Sequence, residues 1–378
     1  MNWLNKNTLI IIVAVILVVA GYFGWSSSPA KGDGFIIGAT LPLTGAAQIY
    51  GQYNKEGMDL ALLDINRQGG INGKKLSIIY DDTGSQNTNA VSAITKMINI
   101  NKVPVIFGSP PSSEVLAEAP IAEKNRTVLI VAGGGVPSLR DAGDYIFRVK
   151  VSVDKEIEEL KKLATNVFRA KTAYILYIQN DYGEGTRKFV SQIFPQSGIA
   201  VLGSEGFGAD EGDYRSALIK AQKTNPDVIV ISGWPKNLGL ILKQAKELGL
   251  KKQFIASGGS IGPDILAIAG SAADGLVYTM EFDIDSLSTS TQTFRREYQQ
   301  KYGRDPELFA TMAYDETVII SEMLKVCDAH PTCIKDHLYQ VQNYDGASGI
   351  ISFDDHGDVL KPMFYMTVKD GKFIRYTK

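Results

Sequence analysis

A serine between glycines is the first candidate for chemistry in this sequence. Residues 258–262 read Gly-Gly-Ser-Ile-Gly and match the G-x-S-x-G nucleophile elbow of hydrolases, in which a sharp turn exposes the serine, here Ser260. Asp283 and His356 follow in the order that such an enzyme would need. A glycine-rich turn explains the same short pattern without catalysis. We therefore expect no enzyme, and a serine hydrolase using Ser260 is the least favoured alternative.

The N-terminus has the pattern of an export segment. Lys6 precedes the apolar run 9–20, which residues 21–25 extend, and small or polar residues follow as a linker at 26–34. A bilayer crossing needs ~20 residues, so the run predicts a membrane anchor or a long signal sequence. We expect residues 1–25 to form this helix. The rest of the chain is expected to be extracytoplasmic, either tethered by this N-terminal transmembrane segment or exported through it.

A cluster of cysteines and histidines is the second candidate for chemistry. Cys327, His330, Cys333 and His337 lie within eleven residues and could be zinc ligands. Structural zinc sites, however, usually separate two ligand pairs by ~12 or more residues. An exported chain with 2 cysteines more naturally pairs them. The sequence thus predicts a Cys327–Cys333 disulfide and no metal.

Strands alternate with helices in the order typical of parallel sheets covered on both faces. Helical spacing is clear at 58–65 and 238–248. The alternation pauses at 145–153 and resumes, which favours two doubly wound α/β lobes over one wide sheet. After residue 280 helices dominate, and two strand-like runs, 349–353 and 362–368, close the chain around a hairpin turn at 354–358. The predicted strands of the alternating part are 35–40, 76–80, 103–107, 128–131, 173–178, 228–231, 254–256 and 276–280.

The carboxyl ends of these strands carry the features of a ligand site. Ligands of open α/β sheets bind beyond those ends. Ser112 and Ser113 begin a helix there, whose free N–H groups can hold an anion. Tyr182 and Trp234 supply aromatic walls with polar edges. Glycine-rich loops at the same ends let a ligand approach the backbone; they contain Gly133, Gly134, Gly135 and Gly258.

Composition excludes other classes of function. The chain has 44% hydrophobic and 21% charged residues, which is an ordinary globular balance. The net charge is −2, so no basic excess indicates a nucleic-acid partner. The 3 histidines all follow residue 329, away from the strand-end loops. These observations favour a small-molecule cleft that works without cofactors.

Several segments, in their order and spacing, make the chain similar to a known family. From residue 35 to the C-terminus it resembles the type I periplasmic solute-binding proteins of branched-chain amino-acid ABC transporters. The segments that carry the resemblance include Gly-Ala-Thr-Leu-Pro-Leu-Thr-Gly at 38–45, Tyr-Gly-Gln at 50–52, Asp-Ile-Asn-Arg-Gln-Gly-Gly-Ile-Asn-Gly-Lys at 64–74, Asp-Tyr-Gly-Glu-Gly at 181–185, Lys-Gln-Ala-Lys-Glu-Leu-Gly at 243–249 and Ser-Phe-Asp-x-x-Gly-Asp at 352–358.

The resemblance implies a fold and a function. The fold is two α/β lobes joined by three hinge strands, and we expect the first lobe at 35–149 plus 282–342 and the second at 150–281 plus 343–378. The function is capture of a small polar or anionic organic ligand between the lobes and its delivery to an ABC permease. A ligand-sensing receptor domain on the same fold is the alternative.

The resemblance also assigns binding roles and a ligand class. Tyr50 corresponds to an aromatic wall and Ser112 to the serine that binds a carboxylate. Relatives that bind α-amino acids usually have a hydroxyl residue where Gly135 stands and an acid where Gly258 stands. The ligand is therefore expected to be an organic acid or amide without an α-ammonium; alternatively, it is an amino acid and another acid, such as Glu281, has taken over that role.

Overall fold

The computed structural model describes residues 34–377. The predicted N-terminal apolar helix at 1–25 and nearly all of the linker lie outside these residues. Within the described range, no helix combines the length and apolar character that a bilayer crossing requires.

The first sheet is parallel and has five strands. They are β1 (Phe35–Leu41), β2 (Leu76–Asp82), β3 (Val105–Phe107), β4 (Val128–Val131) and β5 (Ile146–Arg148). Their order in the sheet is β2-β1-β3-β4-β5. Strands β3 and β4 are buried on both faces, which explains why their sequences are apolar throughout.

The remaining strands form a large mixed sheet and a small antiparallel one. They are β6 (Thr172–Ile178), β7 (Ala200–Phe207), β8 (Val228–Ser232), β9 (Gln253–Ala256), β10 (Val277–Met280), β11 (Tyr344–Gly346), β12 (Gly349–Phe353), β13 (Val359–Leu360), β14 (Phe364–Lys369) and β15 (Lys372–Arg375). The large sheet has the order β15-β14-β10-β9-β8-β6-β7, and the small one β11-β12-β13. Strands β6 to β10 are parallel, whereas β14 and β15 add antiparallel pairs at one side.

Helices connect the parallel strands and cover the sheets. They are α1 (Gln48–Arg67), α2 (Asn87–Lys96), α3 (Ser112–Lys124), α4 (Val153–Lys162), α5 (Asp181–Ile193), α6 (Arg215–Thr224), α7 (Pro235–Glu247), α8 (Asp264–Ala269), α9 (Thr289–Tyr302), α10 (Leu308–Cys327) and α11 (Pro331–Leu338). Apolar side chains at helical spacing in α7, among them Leu238, Ile241 and Leu242, are fully or nearly fully buried, as predicted.

Two lobes with separate sheets are present, and the chain passes between them three times. The first hydrophobic core gathers β1, α1, α10 and β12, and the second gathers β6, β8, α7 and β10. The crossing segments are 149–152 after β5, 281–288 after β10 and 361–363 before β14. The two-lobe α/β fold with parallel sheets is therefore confirmed.

The C-terminal part differs from the predicted lobe assignment and pairing. Residues 343–378 were expected in the second lobe, but Ile351, Phe353 and Val359 are buried in the first core. Only β14 and β15 join the second sheet. The turn at 354–358 does form a hairpin, but its second strand is the short β13. The run at 362–368 instead pairs with β10 as β14, because the third crossing separates it from β12.

All eight predicted strands of the alternating part are present, with ends shifted by at most two residues, and two further strands had been missed. One is β5, which has 3 residues and so gives little periodic signal. The other is β7, an edge strand that carries Gly203 and Gly206 and is partly exposed along much of its length.

Candidate functional site

A cavity lies between the two lobes at the carboxyl ends of the parallel strands. It is narrow, with a cavity volume of about 20 Å³. Its wall combines the helix start after β3, the loop after β4, the first crossing segment and the strand-end loops of the second lobe. The lining residues are Tyr50, Pro110, Pro111, Ser112, Gly133, Gly134, Gly135, Lys150, Tyr182, Trp234, Gly259 and Phe309.

Ser112 brings the positive end of α3 to the cavity. Pro111 is extended (φ −61°, ψ 131°), so the helix begins at Ser112, whose side chain is buried. Within residues 34–377 neither the N–H of Ser112 nor that of Ser113 has a hydrogen-bond partner. Free N–H groups at a helix start, together with a serine hydroxyl, are suited to a carboxylate or another anionic group.

Two buried acids hold the turn that leads into α3. The Ser109 N–H donates to Glu118 Oε2 at 3.0 Å, and the Ser109 hydroxyl donates to Glu114 Oε2 at 2.8 Å. Burial raises the pKa of both carboxyls, that of Glu118 to about 8. The acids therefore fix the backbone that presents Ser112.

The glycine loop after β4 brings its backbone close to the opposite wall. Gly134 has φ +62°, which favours glycine, and its N–H donates to the Pro110 carbonyl at 2.8 Å. A Cβ on Gly133 would lie only 2.5 Å from Pro110 backbone atoms. A Cβ on Gly135 would lie 3.5 Å from the Tyr182 ring. Side chains are thus excluded at Gly133 and constrained at Gly135, and the loop offers its backbone to the cavity.

Aromatic rings from both lobes meet across the cleft. Tyr50 of α1 packs edge-on against Trp234 with ring centroids 5.1 Å apart, and against Phe309 at 4.6 Å. Tyr182 stacks on Trp234 with ring centroids 6.3 Å apart. The Tyr50 hydroxyl donates to the Gly259 carbonyl at 3.3 Å, so a hydrogen bond joins the lobes. These rings form an apolar enclosure beside the polar end at Ser112.

Ser260 lies beside the Tyr182 hydroxyl, and within residues 34–377 no histidine or acid hydrogen-bonds to its hydroxyl. Its Oγ lies 3.3 Å from that hydroxyl and accepts the Gly233 N–H at 3.3 Å. The two proposed triad members lie elsewhere: Asp283 pairs with Arg375, and His356 lies at the surface beside Asp355. The serine hydrolase alternative is therefore wrong, and a glycine-rich turn explains the pattern.

Lys150 is a cavity residue that the sequence analysis missed. It lies in the first crossing segment, and its side chain is 2% exposed. Its Nζ lies 2.6 Å from Glu156 Oε1 and 2.8 Å from Glu281 Oε1, which stands in the second crossing segment. Burial alone would lower the pKa of the Lys150 ammonium, but these two carboxylates outweigh it and raise the pKa. Lys150 is thus a fixed positive charge.

Most of the predicted site residues meet in this one cavity, and two do not line it. Tyr50, Ser112, the glycines 133–135, Tyr182 and Trp234 all do. Ser113 instead lines a neighbouring cavity that shares Pro111 and Trp234 with the first. Gly258 does not line the cavity, and its neighbour Gly259 does. The Cβ position of Gly258 instead faces the Thr279 carbonyl of β10 at 2.7 Å.

The cysteine cluster lies at the end of α10, away from the cavity. The structure joins Cys327 to Cys333 in a disulfide with Cα atoms 5.5 Å apart. His337 Nδ1 lies 3.4 Å from Cys327 Sγ and 3.6 Å from Cys333 Sγ. While the disulfide is intact, neither sulfur is available as a thiolate ligand for a metal.

Comparison with known proteins identifies the family. The sequence profile of the periplasmic binding protein family matches residues 36–372. The Pseudomonas aeruginosa leucine-, isoleucine-, valine-, threonine- and alanine-binding protein is 27% identical over 349 residues, 91% of each chain. The crystal structure of a leucine-binding protein LivK from Thermotoga maritima superposes with a TM-score of 0.85 at 26% identity, covering 91% of this chain and 98% of the other. The isoleucine complex of LivJ from Streptococcus pneumoniae gives 0.84 at 26% identity, covering 90% and 97%.

Two lobes around a cleft, together with this family match, define a solute-binding protein. This chain belongs to the periplasmic binding protein family, in the branch of type I proteins that serve branched-chain amino-acid transporters. It is accordingly an extracytoplasmic substrate-binding protein of the ABC transporter type and not an enzyme.

Proposed function

We propose that the cleft between the lobes binds a small organic ligand with one polar or anionic end. The Ser112 hydroxyl and the N–H groups at the start of α3 would hold that end. Tyr50, Tyr182 and Trp234 would enclose the remainder. The observation that carries this proposal is that a free helix start and aromatic rings from both lobes line the same cavity.

Delivery to a membrane permease is the second part of the proposal. The lobes are joined only by the three crossing segments and by contacts across the cleft, such as that from Tyr50 to Gly259. Such an arrangement can open and close about its hinges. Ligand between the lobes favours the closed form, which an ABC permease would recognise. We also propose that the N-terminal apolar run tethers the protein to that membrane.

A thermal-shift screen of small carboxylates, amides and amino acids tests the binding site. A ligand of the cleft is expected to raise the melting temperature by several degrees at saturating concentration. The same compound should shift Trp234→Ala much less, because that variant loses the wall between the lobes. Tyr376→Ala is the matched control, since this ring packs on Phe168 outside the cavity. Equal shifts in the wild type and Trp234→Ala would place the ligand elsewhere.

A further inference from the structure

Two buried carboxylates lie next to the cavity, and the ammonium of Lys150 contacts both of them. Glu156 Oε1 from α4 and Glu281 Oε1 from the second crossing segment approach Lys150 Nζ to 2.6 and 2.8 Å. The three side chains are 1–2% exposed. Lys150 lines the cavity, and neither carboxylate does. The lysine therefore lies between the acids and the space that a ligand would occupy.

The Lys150 ammonium is held by two hydrogen bonds and one further ion pair. Its Nζ donates to Glu156 Oε1 at 2.6 Å and to the Val151 carbonyl at 3.2 Å. The contact with Glu281 Oε1 at 2.8 Å is an ion pair between opposite charges. Glu281 is held from its other side, since its Oε2 accepts the Val151 N–H at 2.8 Å. Glu156 Oε2 is buried and accepts no hydrogen bond within residues 34–377. In this cluster a single buried ammonium therefore forms ion pairs with two acids from different segments.

Among residues 34–377, no acid lines the cavity to receive a positively charged ligand group. Lys150 is the only charged residue among those described that line the cavity. Position 258 could not supply a carboxylate without rearrangement, because the Thr279 carbonyl fills the space of its Cβ. A ligand ammonium would meet a like charge, and a buried unpaired charge is costly.

We propose that Lys150 is a built-in cation that occupies the cation-binding position of the cleft, so that the ligand is a small organic acid without an ammonium group. This inference rests on the proposed function of the cleft. The ligand carboxylate would lie at the free N–H groups of α3, and its apolar part between the aromatic rings. The amino acids named for the similar relatives would be excluded from this cleft by the positive charge of Lys150.

Chemical rescue tests the cation-binding position without any knowledge of the natural ligand. Lys150→Ala removes the ammonium and most of its stem, and leaves both carboxylates buried without the positive charge that lies beside them. We expect a lowered melting temperature, which n-propylammonium chloride restores by a few degrees. Neutral 1-propanol and sodium chloride are the controls and should not restore it. The wild type, whose position is filled, should not respond to the amine.

A second variant keeps the test decisive if Lys150→Ala does not fold. The double variant Lys150→Ala/Glu281→Gln buries one carboxylate fewer and retains Glu156 as the acceptor. It should also be stabilised by n-propylammonium. Absence of rescue in the folded variants, or equal stabilisation of the wild type, would overturn the proposal.

Ligand pairs that differ only in the amine test the consequence for specificity. The wild type should bind 4-methylpentanoate about tenfold or more tightly than leucine, its 2-amino derivative. Leucine binding as tightly as the acid would overturn the inference and leave the cleft intact as a binding site. A protein that binds no carboxylate and no amino acid would instead contradict the proposed function, and the amine rescue would still decide the role of Lys150.

Discussion

Arg148 and Asp358 form a buried ion pair that supports the glycine loop of the cavity. Nη2 and Nε of Arg148 donate to Asp358 Oδ1 at 2.6 and 3.0 Å. Nη1 donates to the carbonyls of Gly134 and Val136 at 2.6 and 2.9 Å. The guanidinium thus connects the turn before β13 to the loop after β4. The backbone shape of that loop depends on the pair, although neither side chain lines the cavity.

Removing the acid of this pair should destabilise the protein and weaken ligand binding together. In Asp358→Asn the Arg148 charge, 1% exposed, loses its neutralising partner, and we expect a loss of about 3 kcal/mol in the free energy of unfolding. Urea unfolding measures it. Asp355→Asn is the matched control on the same turn, since that side chain is 91% exposed. Equal stabilities of the two variants would show that the pair does not hold the loop.

Trp234 should contribute strongly to ligand affinity. Its ring packs against both Tyr50 and Tyr182, so Trp234→Ala opens the wall where the lobes meet. We expect affinity for a cleft ligand to fall by ~2 kcal/mol or more with the fold intact. Isothermal titration of a ligand from the screen measures the loss, and Trp234→Phe, which keeps a ring, should recover part of it. An unchanged dissociation constant would mean that the ring only packs.

The two cysteines should be linked in the exported protein. The pairing in the structure closes a loop of 6 residues, so it fixes the connection between α10 and α11 and not the whole lobe. Peptide mapping without reductant should find Cys327 and Cys333 in one cross-linked fragment. Reduction should cost only about 2 kcal/mol of stability. Two free thiols, or one zinc ion bound per chain, would refute the pairing.

Stability should depend on pH through the buried acid that holds Ser109. Burial raises the pKa of Glu118 from 4.5 to about 8, so the folded state binds a proton that the unfolded state has released. The contribution of this proton to the free energy of unfolding is complete below about pH 4.5 and is lost as the pH rises towards 8. The free energy of unfolding then falls by at most about 1.4 kcal/mol per pH unit. Glu118→Gln cannot titrate and should lose less stability over this range in urea unfolding. Exposed Glu322→Gln is the control and should follow the wild type; a Glu118→Gln protein that does so as well would contradict the assignment.

The part of the cavity built at strand ends could be predicted from the sequence. Ser112, Tyr182 and Trp234 each follow a strong apolar strand, and the carboxyl ends of parallel strands meet at one edge of a sheet. Local sequence is enough to place such residues. Their distances from one another along the chain do not matter, because the sheet brings the ends together.

The charged part of the cavity could not be predicted in this way. Lys150 follows the three-residue strand β5, and a single lysine between two valines is typical of the solvated side of an extended segment. One of its partners, Glu281, reaches it only because two crossing segments lie side by side. Phe309 was missed because it belongs to the apolar helix α10, where a phenylalanine is expected in the core. Both residues depend on how the lobes meet, which no local pattern encodes.

Native mass spectrometry of the full chain, purified from its own host without added ligand, tests the central claim most directly. We expect one small molecule bound per wild-type chain, with the mass and fragmentation of an organic acid that has no amine. Trp234→Ala prepared in the same way should carry none. An adduct that Trp234→Ala retains would contradict binding in the cleft between the lobes. An amino acid released from the wild type would contradict the role assigned to Lys150.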